Sequence, residues 1–198
     1  MLNIEIRGDG AHICGYVNAT EKKSRPVITP RGKVIEEIEP RAFQAAIDRA
    51  ENVIMTKDHD PGLILAETRA GTLKLWEDNI GLYADAEVSD PATVAEARAG
   101  KIKGWSFGMS HVEDTVEDRA EGLPLRKITG LDLDHITLVV RKNPIYSATS
   151  VEVRADVEVE TEIRSAEDTV QVTAPTYDNS AYKRRLEAIK NDFKEETV

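Results

Sequence analysis

Apolar and polar residues alternate with the two-residue period of β-strands along most of the first half of the chain. Segments 2–8 and 11–19 are "LNIEIRG" and "AHICGYVNA", and the "GDG" at their junction is a hairpin turn sequence. A further strand, "KVIEEIEP", is predicted for 33–40 and ends at Pro40. Segment 71–90 alternates on both arms of a predicted hairpin with "EDN" at its tip. These patterns predict a mainly β fold.

Two short segments change to the helical period. The first follows Pro40, and its apolar residues at helical spacing are Phe43, Ala46, Ile47 and Ala50. The second has Asp90 as its predicted N-cap, Pro91 as its first helical residue and Gly100 as its stop. Strands combined with two helices predict an α+β, mainly β protein, built as a closed or nearly closed barrel with flanking helices.

The middle of the chain contains further predicted strands and one loop. Segment 52–62, "NVIMTKDHDPG", is predicted to be a strand that runs into a turn. The strand that contains Ser106 follows the second helix, and 113–124, "EDTVEDRAEGLP", is predicted to be a polar loop. Segment 125–140, "LRKITGLDLDHITLVV", is the next predicted strand.

The end of the chain differs in composition and predicts a division into a domain at 1–154 and a tail at 155–198. The tail holds eleven acidic and six basic residues. Segment 151–163, "VEVRADVEVETEI", alternates apolar and charged residues, which predicts one long amphipathic strand. A terminal amphipathic helix is predicted from the stripe Tyr182, Leu186, Ile189 and Phe193. The tail is either a removable docking segment or a part that closes the fold or makes a dimer contact.

Composition limits the classes of function. The 198 residues are 40% hydrophobic and 31% charged, which is typical of a globular protein. A net charge of −10 argues against a general nucleic-acid binder. A single cysteine, Cys14, excludes an intramolecular disulfide and a cysteine-based metal site, and we expect it to be a small core residue. We also expect no signal peptide and no membrane span, which places the protein in a reducing cytoplasm.

Ser106 is the first candidate for chemistry. It stands between Trp105 and Phe107, with Gly104 and Gly108 two residues away on either side. The glycines clear space for a substrate backbone to approach a nucleophile, or they are ordinary strand irregularities. A nucleophilic serine needs a base within hydrogen-bond distance and a third group that fixes the tautomer of that base.

The histidines supply candidates for those two roles. His59, in "TKDHDPG", is either a surface loop residue or a general base. Alternation places His135 on one strand face with Leu131, Leu133, Thr137 and Val139. There it is either a core residue or an orienting partner for another histidine. Spacing alone permits a Ser106–His59–His135 set without requiring it.

Other uses of the ionisable residues have less support. His111 is five residues after Ser106, so a regular strand would point the two side chains to opposite faces. His12 has no partner that the sequence identifies. A metal-dependent hydrolase would use His59 with Asp58 or Asp60, but paired-histidine spacing is missing. We therefore predict neither a metal nor a cofactor.

Several ordered motifs resemble the prohead proteases of tailed phages, which are distantly related in fold to the herpesvirus assemblins. They are "KDHDPGLILAETRAGTLKLWEDNIGLYADAEV", "DPATVAEARAGKIKGWSFGM", "LDLDHITLVV" and "YSATSV". The similarity covers roughly residues 10–154. It implies a herpesvirus-protease-like β-barrel and the activity of a serine endopeptidase.

The resemblance also implies roles for single residues. The histidine of the "HD" turn is the base in that family and corresponds to His59, and the nucleophile corresponds to Ser106. Many phage members carry an acidic third residue where this chain has His135, and the herpesvirus enzymes use histidine; Asp134 is the alternative if the strand bulges. Arg141 corresponds to arginines that help to bind the oxyanion.

The implied function is proteolysis during capsid maturation. The substrates would be the scaffolding segment of the major capsid protein and the protease itself, inside the assembling procapsid in the host cytoplasm. We expect a dimer or other homo-oligomer, and we expect neither nucleic acid nor membrane as a partner. The alternative is a non-catalytic capsid assembly protein that retains the protease fold as a scaffold.

Overall fold

The computed structural model of the protein describes residues 2–141, 151–153, 160–165 and 170–174. The first strands and helix in these residues are β1 (Leu2–Arg7), β2 (Gly10–Ala19), β3 (Val27–Thr29), β4 (Gly32–Ile38), α1 (Ala42–Arg49), β5 (Ile54–Lys57) and β6 (Asp60–Glu67). They are followed by β7 (Leu73–Glu77), β8 (Gly81–Val88), α2 (Pro91–Arg98), β9 (Gly104–Glu117), β10 (Leu125–Val139), β11 (Val151–Val153), β12 (Glu160–Ser165) and β13 (Val170–Thr173).

The strands form two sheets. The first sheet has the order β13-β1-β2-β8-β7. The second has the order β11-β12-β9-β10-β4-β3, with β5 also paired to β10 and β6 paired to β5. The α+β, mainly β class is confirmed, and of the predicted closed or nearly closed barrel, no closed barrel is found among the described strands. Alternation indicates which face of a strand is buried, but it does not indicate which edges pair. The herpesvirus-like fold stays a prediction.

Both predicted helices are present, and each has an identifiable cap. The Glu77 carboxylate accepts hydrogen bonds from the backbone N–H groups of Arg41 (2.5 Å) and Gln44 (2.8 Å) at the start of α1. Asp90 caps α2 as predicted, because its Oδ2 accepts from the Thr93 N–H at 2.7 Å. No helix in the described part of the chain is long and apolar enough to cross a membrane.

One hydrophobic core contains side chains from both sheets and both helices. Trp105, Phe107 and Met109 of β9 are all buried in it, and Phe43 of α1 packs edge-on against Phe107 with ring centroids 5.4 Å apart. The alternate positions of β9, which include Ser106, therefore face the other side of the strand. Cys14 is half-buried on the opposite face of β2 from the core residue Ile13, so its predicted core position is wrong.

Strand β9 runs to Glu117 and takes in the first part of the predicted polar loop. Residues 114–117 pair with 125–128 of β10 in a regular antiparallel register. The loop prediction is wrong for this part because the charged residue Asp114 is held by ion pairs with Arg126 and Arg31.

Three strands lie in the region of the predicted amphipathic strand and tail. β11 and β12 pair antiparallel, so the prediction of one long strand over 151–163 is wrong. β12 adds to β9 in the second sheet and β13 adds in parallel to β1 in the first. The predicted terminal helix at 182–193 lies outside the described residues, and the domain boundary after residue 154 stays a prediction.

Candidate active site

Ser106 lies in β9 between two neighbouring strands. In the register it is opposite Thr137 of β10 on one side and opposite Ser165 of β12 on the other. The residue is fully buried, and the adjacent core side chains Trp105 and Phe107 anchor the strand around it. A side chain on such an internal strand is held more precisely than one on a loop.

His59 lies on the tight turn between β5 and β6. Asp58 and His59 have φ values of +51° and +60°, a left-handed conformation that costs free energy in residues other than glycine. Asp58 Oδ1 accepts hydrogen bonds from the backbone N–H groups of Val140 (2.8 Å) and Arg141 (3.1 Å). The backbone N–H of His59 donates to Thr137 Oγ1 at 3.1 Å. These bonds fix the turn to the end of β10.

The turn brings His59 between the other two candidate residues. Its Nε2 is 2.9 Å from Ser106 Oγ, and its Nδ1 is 2.7 Å from His135 Nε2. The planes of the two imidazole rings are 79° apart. The three side chains, which we call the trio, lie within the hydrogen-bond distances that a nucleophile, a base and an orienting group need.

A β-bulge places His135 in the trio. Leu133 pairs with Met109 and His135 pairs with the next residue, Gly108, so Asp134 is an extra residue on β10. Leu133 consequently faces the core, whereas His135 faces the side of the sheet that carries Ser106. The prediction that these residues share one face is therefore wrong, because it assumed a regular strand.

Asp134, the alternative third residue, has a different partner. Ser110 Oγ donates a hydrogen bond to Asp134 Oδ1 at 2.6 Å. The bulge that would have brought Asp134 to His59 instead brings His135 there.

The two glycines and Arg141 lie close to the trio but in different surroundings. A Cβ atom at Gly108 would be only 2.4 Å from Cε1 of His135, so Gly108 makes room for the imidazole ring. Gly104 begins β9 and pairs with Val139. Arg141 follows the end of β10, where its backbone N–H donates to Asp58. Contact with substrate stays a prediction for all three.

Electrostatics favour the neutral form of His59. Burial of the ring, and secondarily the nearby His135, lower the pKa of His59 from 6.5 to about 4. At neutral pH the imidazole is therefore uncharged, as a proton acceptor must be.

A residue that the sequence did not suggest also contacts the nucleophile. Ser106 Oγ donates a hydrogen bond to the backbone carbonyl of Arg164 in β12 at 2.7 Å. A hydroxyl has one hydrogen, so in this arrangement the Nε2–H of His59 is the donor to Oγ. His59 Nδ1 then accepts from His135 Nε2–H. In this state His59 does not accept the proton of Ser106.

The remaining histidines lie elsewhere. His111 contacts Asp132 at 3.0 Å on the exposed surface, and His12 contacts Asp85 at 3.1 Å on the first sheet. Within the described ranges no group of three or more His, Cys, Asp or Glu side chains is arranged to hold a metal ion. Asp60 Oδ1 accepts from the Gly62 backbone N–H instead.

Comparison with known proteins identifies the family of the chain. No curated protein and no solved structure matches the chain. A model of the caudovirus prohead serine protease family matches residues 2–164, which include the whole trio and β12 as far as Arg164. That match covers most of the 198 residues. The chain belongs to the caudovirus prohead serine protease family.

Proposed function

We propose that the protein is a serine endopeptidase in which Ser106 is the nucleophile, His59 the general base and His135 the group that orients His59. The observation that carries this proposal is the continuous set of contacts from Ser106 Oγ through His59 to His135, at 2.9 Å and 2.7 Å. The family to which the chain belongs consists of serine proteases of capsid maturation, which supports the same activity.

The proposed reaction begins when Ser106 donates its hydrogen to His59 Nε2 instead of to Arg164. Oγ attacks the carbonyl carbon of the scissile peptide bond while His59 takes the proton. His59 then gives this proton to the leaving amine, and the C–N bond breaks to leave an acyl group on Ser106. Water activated by His59 hydrolyses the ester and restores the hydroxyl.

His135 would hold His59 in the tautomer that has a free Nε2. For this, His59 carries its hydrogen on Nδ1 and donates it to His135 Nε2. A neutral imidazole stabilises the developing imidazolium less than a carboxylate does, so we expect slow catalysis. For the oxyanion we propose backbone N–H donors together with Arg141, with Gly104 and Gly108 allowing close approach of the substrate.

As substrates we propose the scaffolding segment of the major capsid protein and the protease chain itself. Cleavage would take place inside the assembling procapsid in the host cytoplasm, with the protease as a dimer or other homo-oligomer. Membership of the prohead protease family supports a role in capsid maturation in general.

The test is coexpression of the full chain with its cognate capsid protein, followed by intact-mass spectrometry, alongside Ser106→Ala. Trimmed products with the wild type and full-length chains with Ser106→Ala are expected. Equal trimming in both would exclude Ser106 as the nucleophile.

One observation favours a second function, that of a non-catalytic assembly protein. Ser106 Oγ donates its hydrogen bond to the backbone carbonyl of Arg164, so the hydroxyl hydrogen is not available to His59 in this arrangement. A protein of this kind would not react with a fluorophosphonate probe under any assembly condition. Covalent labelling of Ser106 in the wild type, absent in Ser106→Ala, would exclude this alternative.

A further inference from the structure

β12 lies along the edge of β9 next to the nucleophile. The two strands are antiparallel, with Glu162 opposite Met109 and Ser165 opposite Ser106. Extended peptides commonly bind proteins in this way, by adding a strand to a sheet edge. The carbonyl of Arg164 is the backbone group that contacts Ser106 Oγ. β12 therefore occupies the place of a peptide strand bound across the nucleophile.

Glu162 is held by a buried arginine. Nη1 and Nη2 of Arg126 donate to the two carboxylate oxygens of Glu162 at 2.7 Å and 2.9 Å, a bidentate pair. Arg126 is only 4% exposed and also donates to Glu36 (2.7 Å) and Asp114 (2.5 Å). Arg126 thus keeps partners on β4 and β9 even when β12 is absent, which preserves a preformed cation opposite the position of Glu162.

Arg164 is held by a buried carboxylate. Its Nε and Nη2 donate to the two carboxylate oxygens of Glu36 at 2.5 Å and 2.7 Å. Glu36 is 3% exposed, and Ile163, between the two charged residues of β12, is also 3% exposed. Three consecutive positions of β12 therefore have defined surroundings: cationic, apolar and anionic.

The charge pattern of this surface is specific. Burial alone would raise the pKa of Glu162, but its pairing with Arg126 and Arg164 holds it below its ordinary value. An exchange of the two charges along the strand would place glutamate against Glu36 and arginine against Arg126. Specific recognition gains from such unfavourable contacts as well as from the favourable ones.

We propose that the edge of β9 is the substrate-binding site and selects an extended peptide with the pattern glutamate, apolar residue, arginine. Arg126 binds the glutamate, Glu36 binds the arginine, and the bond after the arginine is the one presented to Ser106. β12 is the internal occupant of this site and competes with substrate. This inference rests on the proposed function and adds its sequence specificity.

Binding is tested in a full chain that carries three substitutions. Ser106→Ala prevents cleavage, and Glu162→Gln with Arg164→Gln weaken the hold of β12 on the site, so that β12 competes less well with an added peptide. The probe is the peptide Glu-Thr-Glu-Ile-Arg-Ser-Ala-Glu, measured by calorimetry. Replacing its third residue by glutamine, or its arginine by glutamine, should weaken binding about tenfold or more, because each change removes a bidentate, charge-assisted pair with a buried residue. Equal affinity for the three peptides, or no binding, overturns the proposal.

A second measurement follows the release of β12 without any peptide. In the otherwise wild-type chain, Glu162→Gln should react with a fluorophosphonate at Ser106 several times faster than the wild type. Glu117→Gln is the matched control, since Glu117 is exposed at the far end of β9 and pairs only with Lys127 among the described residues. An unchanged labelling rate in Glu162→Gln contradicts the role of β12 as an internal competitor.

The two proposals fail in different ways. Suppose that the peptide binds selectively, but the chain with Ser106 intact neither cleaves a substrate nor reacts with the fluorophosphonate. This result would overturn the protease function and keep the binding site. Trimming of capsid protein by Ser106 without selectivity for the peptide would overturn the inference and keep the function. Mass analysis of the peptide with the active Glu162→Gln chain should place the cut after the arginine, and a cut elsewhere rejects that assignment.

Discussion

The imidazole of His135 occupies the space that a side chain at position 108 would need. A Cβ built on Gly108 lies 2.4 Å from Cε1 and 2.8 Å from Nδ1 of His135, closer than any real Cβ contact. Gly108 is also the residue that pairs with His135 in the register of β9 and β10. Its missing side chain therefore makes room for the imidazole ring in the site.

Gly108→Ala should therefore displace His135 from His59. We expect it to lower kcat and also to reduce the free energy of unfolding. We expect a loss of about tenfold or more in kcat, and overpacking should cost about 1–3 kcal/mol of unfolding free energy. Kinetics of peptide cleavage and urea unfolding measure the two effects.

Gly130→Ala on β10 is the matched control. The added Cβ would meet the side chain of Glu113, which is flexible and can move aside. If Gly108→Ala retained full activity, His135 would not be needed in its observed position.

Asp58 is predicted to be a positioning residue for His59. Its Oδ1 accepts from two backbone N–H groups and holds a turn with two left-handed residues. Asp58→Ala should lower kcat about tenfold to a hundredfold with little change in KM, because the base loses its fixed orientation. Asp58→Asn should restore most of the activity, since an amide oxygen accepts the same bonds and asparagine tolerates the left-handed region.

Asp60→Ala, in the same turn, serves as the control because its carboxylate contacts the Gly62 N–H rather than β10. Equal loss of activity in Asp58→Asn and Asp58→Ala would indicate that the charge of Asp58, and not its hydrogen bonding, is what matters.

The pKa of His59 predicts how stability depends on pH. In the folded chain this pKa is lowered to about 4, whereas the unfolded chain has the ordinary value of 6.5. Between these values only the unfolded state binds the proton, so stability decreases as the pH falls from 6.5 to 4, by up to about 3 kcal/mol. Urea unfolding at a series of pH values measures this loss.

His59→Gln should remove that part of the pH dependence. His135→Gln should reduce it, since His135 contributes to the lowering of the pKa. An identical pH dependence in wild type and His59→Gln would contradict the low pKa.

The sequence was sufficient where local chemistry decides the structure. Asp90 and Pro91 identified the start of α2, and alternation identified the hairpin of β7 and β8. The positions of Ser106, His59 and His135 were suggested by the motifs and the resemblance, and the structure brings the three together. The long-range relationships, namely the bulged pairing of strands and the ion pairs between distant strands, could not be predicted from the sequence.

Two failures have clear physical causes. The bulge at Asp134 inverts the faces of β10, and nothing in the local pattern of "LDLDHITLVV" distinguishes a bulged strand from a regular one. The buried network of Glu36, Asp114 and Arg126 was not predicted, because the charges are compensated by partners from distant strands. A single clue was available, namely that Glu36 and Arg126 occur within strongly strand-forming segments.

Removal of the buried arginine gives the last prediction. Arg126→Met should destabilise the fold by about 3–5 kcal/mol, because Glu36, Asp114 and Glu162 would be left as buried carboxylates without their shared cation. Urea unfolding measures the loss. Lys127→Met, the adjacent residue, should cost at most about 1 kcal/mol, because its pair with Glu117 is exposed. Equal small effects in both variants would mean that water or other cations compensate the three carboxylates. Partial recovery of stability is expected when Glu162→Gln is added to Arg126→Met, since this removes one of the three carboxylates that have lost Arg126.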